Sequence, residues 1–298
     1  MLEGLIGFLK EKDIKFEENE RLDKISYMKL GGVARLSASP KTENEFCSLL
    51  SYLTDKMFRY KVIGRMSNIL PTDDVYDGIL VKTHEMQEKT VAENKVTVQC
   101  GATLAEMIWF CAHVDLGGAE ELFMIPATIG GAVFNNAGAH GKEISDIFVS
   151  ARLYFPLDKS ILVYSREDMR FNYRDSILKH REIYLLSATF RFESSDFPFI
   201  KNKVEHFARL RRSFQPLDRP SLGSTFKRYE GVSAGYYIDR AGLKGCRVGG
   251  AMVSEKHAGF IVNAGGATAS DVKQLIECVK QAVFDRFGIW LQEEIEFL

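Results

Sequence analysis

Ile125-Pro126-Ala-Thr128-Ile129-Gly130-Gly131-Ala132, closely followed by Asn135-Asn136-Ala137-Gly138-Ala-His140-Gly141, is the stretch from which the rest of the chain can be read. The glycine pair permits a tight turn with exposed backbone N–H groups, which can cradle a diphosphate. It serves equally as a plain turn between packed elements. The second run is built from small and amide residues, which pack poorly as core and leave backbone open to a flat ligand. A solvated loop has the same composition. A second turn of this kind follows the strand-like Tyr60-Lys-Val-Ile63, where Gly64-Arg65-Met66-Ser67-Asn68 also offers N–H groups to an anion.

Outward from these loops the chain alternates helix and strand. Leu2, Leu5, Ile6 and Leu9 fall on one helical face. Phe46, Leu49, Leu50 and Leu53 do the same behind a capping box at Thr42 and Glu45, and Leu104, Met107, Ile108 and Cys111 behind Thr103 and Glu106. Tyr60–Ile63, Gly78–Lys82 and Lys95–Gln99 are short, rich in β-branched residues and bounded by turns, as strands are. From Phe148 the runs 148–155, 161–164 and 183–192 read as a closing sheet. Glu193-Ser-Ser-Asp-Phe-Pro198 reads as a linker before a helix from Ile200 to about Arg212. A last helix, N-capped by Ser270 and stopped by Gly288, precedes a terminal strand from Trp290 to Phe297. The expected fold class is α+β, with one domain over 1–195, split near 80, and a second over 196–298.

Bulk properties narrow the function. A length of 298 residues exceeds one small core, so more than one domain is expected. With 46% hydrophobic and 27% charged residues and a net charge of -1, the chain carries no electrostatic footprint for nucleic acid. No apolar run is long enough for membrane insertion, and Met1-Leu2-Glu3-Gly4 does not open a signal peptide. The five cysteines never form Cys-x-x-Cys and the six histidines form no His-Glu-x-x-His, so no metal site is expected and a cytoplasmic location is. Rossmann and P-loop glycine signatures are both missing.

Further motifs occur in a fixed order: Lys29-Leu-Gly-Gly32, Gly64-Arg-Met-Ser-Asn68, Ile125-Pro-Ala-Thr-Ile-Gly-Gly131, Asn136-Ala-Gly-Ala139, Tyr173-Arg-Asp-Ser176, Gln215-Pro-Leu, Pro220-Ser-Leu-Gly-Ser-Thr-Phe-Lys227, Ala241-Gly-Leu-Lys-Gly245 and Val248 to Asn263. From about Lys24 to Leu298 the chain resembles the UDP-N-acetylenolpyruvoylglucosamine reductase (UDP-N-acetylmuramate dehydrogenase) family. The resemblance implies a two-part FAD-binding domain of the vanillyl-alcohol-oxidase (PCMH) type and a C-terminal α+β substrate-binding domain. It implies reduction of FAD by NADPH, then hydride transfer to the enolpyruvyl double bond of UDP-N-acetylglucosamine enolpyruvate, in peptidoglycan precursor synthesis. Gly64, Arg65, Met66, Ser67, Asn68, Ile125, Pro126, Thr128, Ile129, Gly130, Gly131, Asn136, Ala137 and Gly138 would then bind FAD.

Hydride addition leaves negative charge spreading onto the substrate carboxylate, so the site needs a cation, a carboxylic acid or both beside it. Arg174 and Glu294 stand at the family positions. Without the motif, Arg174 reads as a surface partner of Asp175. Glu294 has Glu293 and Glu296 as competitors in the same strand. The remaining carbon needs a proton donor, which the resemblance gives as Ser224; otherwise Ser224 is a turn serine bonding its own backbone, and Thr225 is its weaker rival. Lys227 and Arg228 are candidates for the UDP diphosphate, whereas Arg209, Arg211 and Arg212 suit a helix C-terminus. The sequence departs from the family at Val33, Met66, Ala127 and His140. Met66 and Ala127 motivate an alternative, a non-catalytic or regulatory nucleotide-sugar-binding relative with weakened FAD binding.

Overall fold

The computed structural model describes residues 2–298. These form two compact units whose sequence ranges interleave. The first runs up to Glu18 and takes in Leu36–Gly64 and Gly78–Arg209; the second comprises Asn19–Arg35, Arg65–Asp77 and Leu210–Leu298. Each unit has its own apolar core. The sequence predicts a division at 195 with a further split near 80; the compact units cut the helix Phe197–Phe214 and place two early segments in the second unit.

The first unit is organised by an antiparallel sheet in the order Ser160–Ser165, Phe148–Phe155, Tyr184–Arg191, Lys95–Gln99, Lys89–Ala92. Its central strand Tyr184–Arg191 buries Leu185, Leu186, Ala188 and Phe190, while the edge strand Ser160–Ser165 leaves Ile161, Leu162 and Val163 exposed. A further sheet follows the order Lys15–Arg21, Val33–Ser39, Val75–Lys82, Tyr60–Ile63. Its last pair is parallel, with Tyr60 opposite Ile79. The helices Glu43–Asp55 and Leu104–Ala112 start where their caps dictate. Thr42 Oγ1 accepts the Glu45 N–H at 3.2 Å. Thr103 Oγ1 accepts the Glu106 N–H at 3.1 Å, and the Glu106 carboxylate accepts the Thr103 N–H at 2.7 Å. Such caps contribute about 1 kcal/mol each.

The stretch expected to be a linker is structured. Glu193–Ser194 pairs antiparallel with Leu116–Gly117, and Asp196 Oδ1 accepts the Phe199 N–H at 2.8 Å, so the helix starts at Phe197. Pro198 is tolerated there because a first-turn residue needs no intrahelical N–H partner.

In the second unit an antiparallel sheet in the order Ser221–Ser224, Phe260–Asn263, Ala251–Val253, Arg247–Val248 is covered by the helix Ala269–Phe287. Val272, Leu275, Ile276, Val279 and Val283 on that helix cluster with Ala251, Val253 and Ile261. Each such side chain stabilises by roughly 1.5–3 kcal/mol on burial. The N-cap is Thr268, not Ser270: Thr268 Oγ1 accepts the Asp271 N–H at 3.0 Å. The Asp73 carboxylate also accepts the N–H groups of Ala269 and Ser270, at 2.7 and 2.8 Å. Asp73 thus ties the segment 65–77 to the helix. Lys29-Leu-Gly-Gly32 serves the same assembly, because a Cβ on Gly32 would lie 2.2 Å from the Asp73 carbonyl oxygen.

The expected terminal strand is only partly regular. Phe226 and Glu293 form an isolated bridge, and Glu296–Phe297 alone pairs, in parallel, with Ile69–Leu70. Its neighbours are two different chain segments in turn, which alternation of side chains does not encode.

Candidate active site

The two glycine-bearing turns of the sequence differ in what their N–H groups do. Ile129–Phe134 is a short helix capped by Thr128. The Ile129 N–H donates to the Ala102 carbonyl at 2.7 Å, Gly130 to the Cys100 carbonyl at 2.8 Å, and Gly131 to Thr128 Oγ1 at 3.3 Å. Ile125 and Ala137 likewise donate to the Leu122 and Ala132 carbonyls. The Ile129, Gly130 and Gly131 donors of this turn are therefore spent on its own framework. By contrast, among the described residues no protein acceptor meets the backbone N–H of Arg65, Met66 or Ser67. Gly64 is required beside them, since a Cβ there would lie 2.3 Å from Thr128 Oγ1. Unspent donors around a left-handed residue suit a phosphate.

Met66 and Ala127, the two departures in the flavin half, separate cleanly. Met66 has φ 49°, a conformation that favours glycine, and is 2% exposed. Holding a side chain there costs of the order of 1–2 kcal/mol. Ala127 is not among the described residues with positive φ, so its Cβ carries no such strain.

Arg174 does not pair with Asp175, whose carboxylate instead meets His180 Nε2 at 2.9 Å. The Arg174 guanidinium donates to the carbonyls of Asn136, at 3.4 Å, and Gly138, at 3.1 Å, and lies 3.6 Å from Glu143 Oε1. It also stacks on Tyr173, 5.0 Å from the ring centroid. Asn136 and Arg174 both have positive φ, 40° and 53°, which packing and hydrogen bonds must hold. Gly138 pairs with Glu143 in a two-stranded ribbon that closes the same loop. His140 packs against Phe207, with ring centroids 5.0 Å apart.

In the second unit, Ser224 ends the strand Ser221–Ser224 opposite Phe260, after a bulge at Gly223, where φ is 78°. It belongs to a bulged strand end rather than a free turn. Among the described residues the Ser224 hydroxyl meets no protein partner. Thr225 next to it is buried and committed: its Oγ1 accepts the Ile261 N–H at 3.3 Å, and its N–H donates to Gly259. The Thr225 carbonyl accepts the Glu294 N–H at 2.8 Å, which brings Glu294 beside Ser224 along the backbone. Asn68 holds the next peptide, its Nδ2 donating to the Glu294 carbonyl at 3.0 Å.

Of the competing glutamates, Glu293 is engaged elsewhere. Lys280, 8% exposed on the last helix, donates to Glu293 at 2.9 Å and to Glu277 at 3.1 Å and lies over Trp290. The hydrogen bond to Glu293 raises the Lys280 pKa. Lys227 is held by its N–H to the Gln292 carbonyl at 2.8 Å, and Arg228 is exposed.

The sequence reading missed three features here: the positioning bond from Asn68, the lysine buried on an otherwise apolar helix face, and a cationic cavity. That cavity has a volume of about 450 Å³ and includes Arg212, Arg219, Lys256, Asp218, Glu255 and Ser254 in its wall. Arg211 is tied to Gln215 Oε1 at 2.7 Å, and burial pushes its pKa down to about 10. Burial also raises the thiols of Cys100 and Cys111 to about 12, which removes them as thiolate nucleophiles.

Known proteins carry the same two-part organisation. Residues 34–159 match the FAD binding domain model, and residues 215–298 match the C-terminal domain model of UDP-N-acetylenolpyruvoylglucosamine reductase. The reductase of Caldicellulosiruptor bescii is 39% identical over 295 residues, covering 98% of this chain and 93% of the relative. The chain belongs to the UDP-N-acetylenolpyruvoylglucosamine reductase family. A reductase from Enterococcus faecalis is 37% identical over 94% of this chain and 93% of its own length. The crystal structure of the family member from Thermus caldophilus superposes with a TM-score of 0.80 at 31% identity, covering 95% of this chain and 99% of that one. Alkyldihydroxyacetonephosphate synthase shares the fold of part of the chain, with a TM-score of 0.50 at 14% identity over 64% of it. The protein is thus a flavin oxidoreductase of this family with an FAD-binding domain. Among the described residues no helix is long and apolar enough to cross a membrane.

Proposed function

We propose that the protein catalyses the NADPH-driven, FAD-dependent reduction of UDP-N-acetylglucosamine enolpyruvate to UDP-N-acetylmuramate, a cytoplasmic step of peptidoglycan precursor synthesis. When bound, FAD would supply the hydride chemistry for the enolpyruvyl double bond, with NADPH as the hydride source. The chain's own residues stabilise the resulting charge and finish the addition. Arg174 is the cation for the substrate carboxylate, and Glu294 is the acid that faces the charge developing there. Ser224 delivers the proton to the adjacent carbon. Lys227 and Arg228 hold the UDP diphosphate. Gly64, Arg65, Met66 and Ser67 hold the diphosphate of FAD through backbone N–H groups, and Thr128 supports Gly64.

The observation that carries this reading is the contrast at Ser224 and Thr225. The Ser224 hydroxyl is unspent beside a backbone that also fixes Glu294, while the neighbouring threonine hydroxyl is consumed by the sheet. An unassisted serine is a weak acid, so transfer draws on the charge forming in the substrate and on cations nearby.

An anaerobic visible spectrum of the purified protein tests the reading. Flavin absorbance should be present, bleach on adding NADPH and return on adding the enolpyruvyl substrate. Protein without flavin absorbance after FAD is supplied contradicts it. Bleaching that the substrate fails to reverse supports the non-catalytic alternative that Met66 suggests.

A further inference from the structure

We infer that Asn136 is a positioning residue for Arg174 rather than a side-chain ligand of the flavin. The inference rests on the role proposed for Arg174. The side chain of Asn136 is 1% exposed, and its polar capacity is directed inward. Its Oδ1 accepts the Ser145 N–H at 3.0 Å, which fixes the orientation of the amide. Both Nδ2 hydrogens then have acceptors, the Glu143 carboxylate at 3.0 Å and the Asn172 carbonyl at 3.0 Å. The amide has no donor left for a ligand.

Both Nδ2 bonds lead to Arg174. Asn172 lies two residues before it in a tight turn closed by the Asn172–Asp175 bridge. Glu143 is the carboxylate 3.6 Å from its guanidinium, and the Asn136 carbonyl is itself an acceptor for that guanidinium. One buried amide therefore fixes the turn that carries Arg174, the anion beside it and part of its cradle. The left-handed backbone of Arg174, at φ 53°, has a physical cause in this arrangement, whereas Asn136, at φ 40°, is a residue type that tolerates that region. A guanidinium aimed in this way meets a substrate carboxylate without reorganising, whereas misplacement of a reacting group by about 1 Å costs roughly 10²-fold in rate.

The test uses the full-length FAD-loaded protein with Asn136→Asp, which keeps the acceptor for Ser145 and removes both donors, and Asn136→Gly, which suits the backbone. Stopped-flow absorbance should show flavin reduction by NADPH unchanged and reoxidation by the enolpyruvyl substrate roughly 10²-fold slower. FAD affinity, read by equilibrium titration, should be unchanged. In an Arg174→Met background neither substitution should slow reoxidation further, because coupled residues are not additive. If the Asn136 variants fold poorly, Glu143→Gln provides the same readout, with about tenfold slower reoxidation that also vanishes in the Arg174→Met background. Weakened FAD binding with both half-reactions slowed equally, or fully additive losses with Arg174→Met, overturns the inference. An Arg174→Met protein with unimpaired reoxidation overturns the role of Arg174 itself, and the single variant distinguishes that outcome.

Discussion

Arg174 and Ser224 illustrate two ways of presenting a reactive side chain. In the first unit, Arg174 is held through its side chain, by two carbonyls, a carboxylate and an aromatic ring. In the second, Ser224 is held through its backbone, and its hydroxyl is left without a protein partner among the described residues. The difference follows from the chemistry asked of each. A long cation loses much rotamer freedom when fixed, so it must be braced in advance. A short hydroxyl needs no bracing beyond its strand, and any protein acceptor would compete for the proton it is proposed to give.

The second-unit side of this contrast is most sharply broken at Glu294. Glu294→Gln should slow reoxidation by the enolpyruvyl substrate by roughly 10²–10⁴-fold while sparing reduction by NADPH. Glu293→Gln should leave the chemistry largely intact and lower thermal stability, because it removes the negative charge paired with the buried Lys280. Reversed effects would reassign the acid to Glu293.

On the first-unit side, Arg174→Met should cost about 1.5–3 kcal/mol of transition-state binding, seen as a fall in kcat/KM for the nucleotide sugar with KM for NADPH unchanged. A change confined to NADPH would place Arg174 in the other half-reaction.

The smallest effect is a pH dependence of stability. Burial lowers the pKa of His257 below its ordinary value of 6.5, with a further small contribution from Lys244, and its Nδ1 accepts the Gly259 N–H at 3.1 Å. Between the folded and unfolded values the unfolded chain binds the extra proton, so the stabilising contribution is full above the unfolded value and is lost as pH falls through the folded one. Thermal melts between about pH 8 and pH 5 should show His257→Gln losing less stability on acidification than the parent. Equal acid sensitivity would mean that other groups dominate.

Much of the fold was legible because it is local. Thr42 and Thr103 announce their helices, and the strands Phe148–Phe155 and Lys95–Gln99 stand where their β-branched and aromatic runs lie. What escaped depends on distant partners. Ile129–Phe134 is a helix because Ala102 and Cys100 supply acceptors for its first donors, and nothing in the glycine pair encodes that. Ser270 was displaced as N-cap by Thr268, whose side chain has the matching residue three positions on. Family motifs point to Arg174, Ser224 and Glu294 as the residues proposed for the chemistry, but the contacts of Asn68 and Asn136 come from bonds that span long stretches of sequence. Lys280 sits at an apolar position of a regular helical pattern, where only the acidic partners Glu277 and Glu293 make its burial tolerable.

The most direct test of the account is stopped-flow absorbance on Ser224→Ala, with the two half-reactions followed separately. The account predicts that NADPH bleaches the flavin at the parent rate and that the enolpyruvyl substrate restores its absorbance at least 10²-fold more slowly. Equal slowing of both half-reactions, or reoxidation at the parent rate, would contradict the assignment of Ser224 as the proton donor.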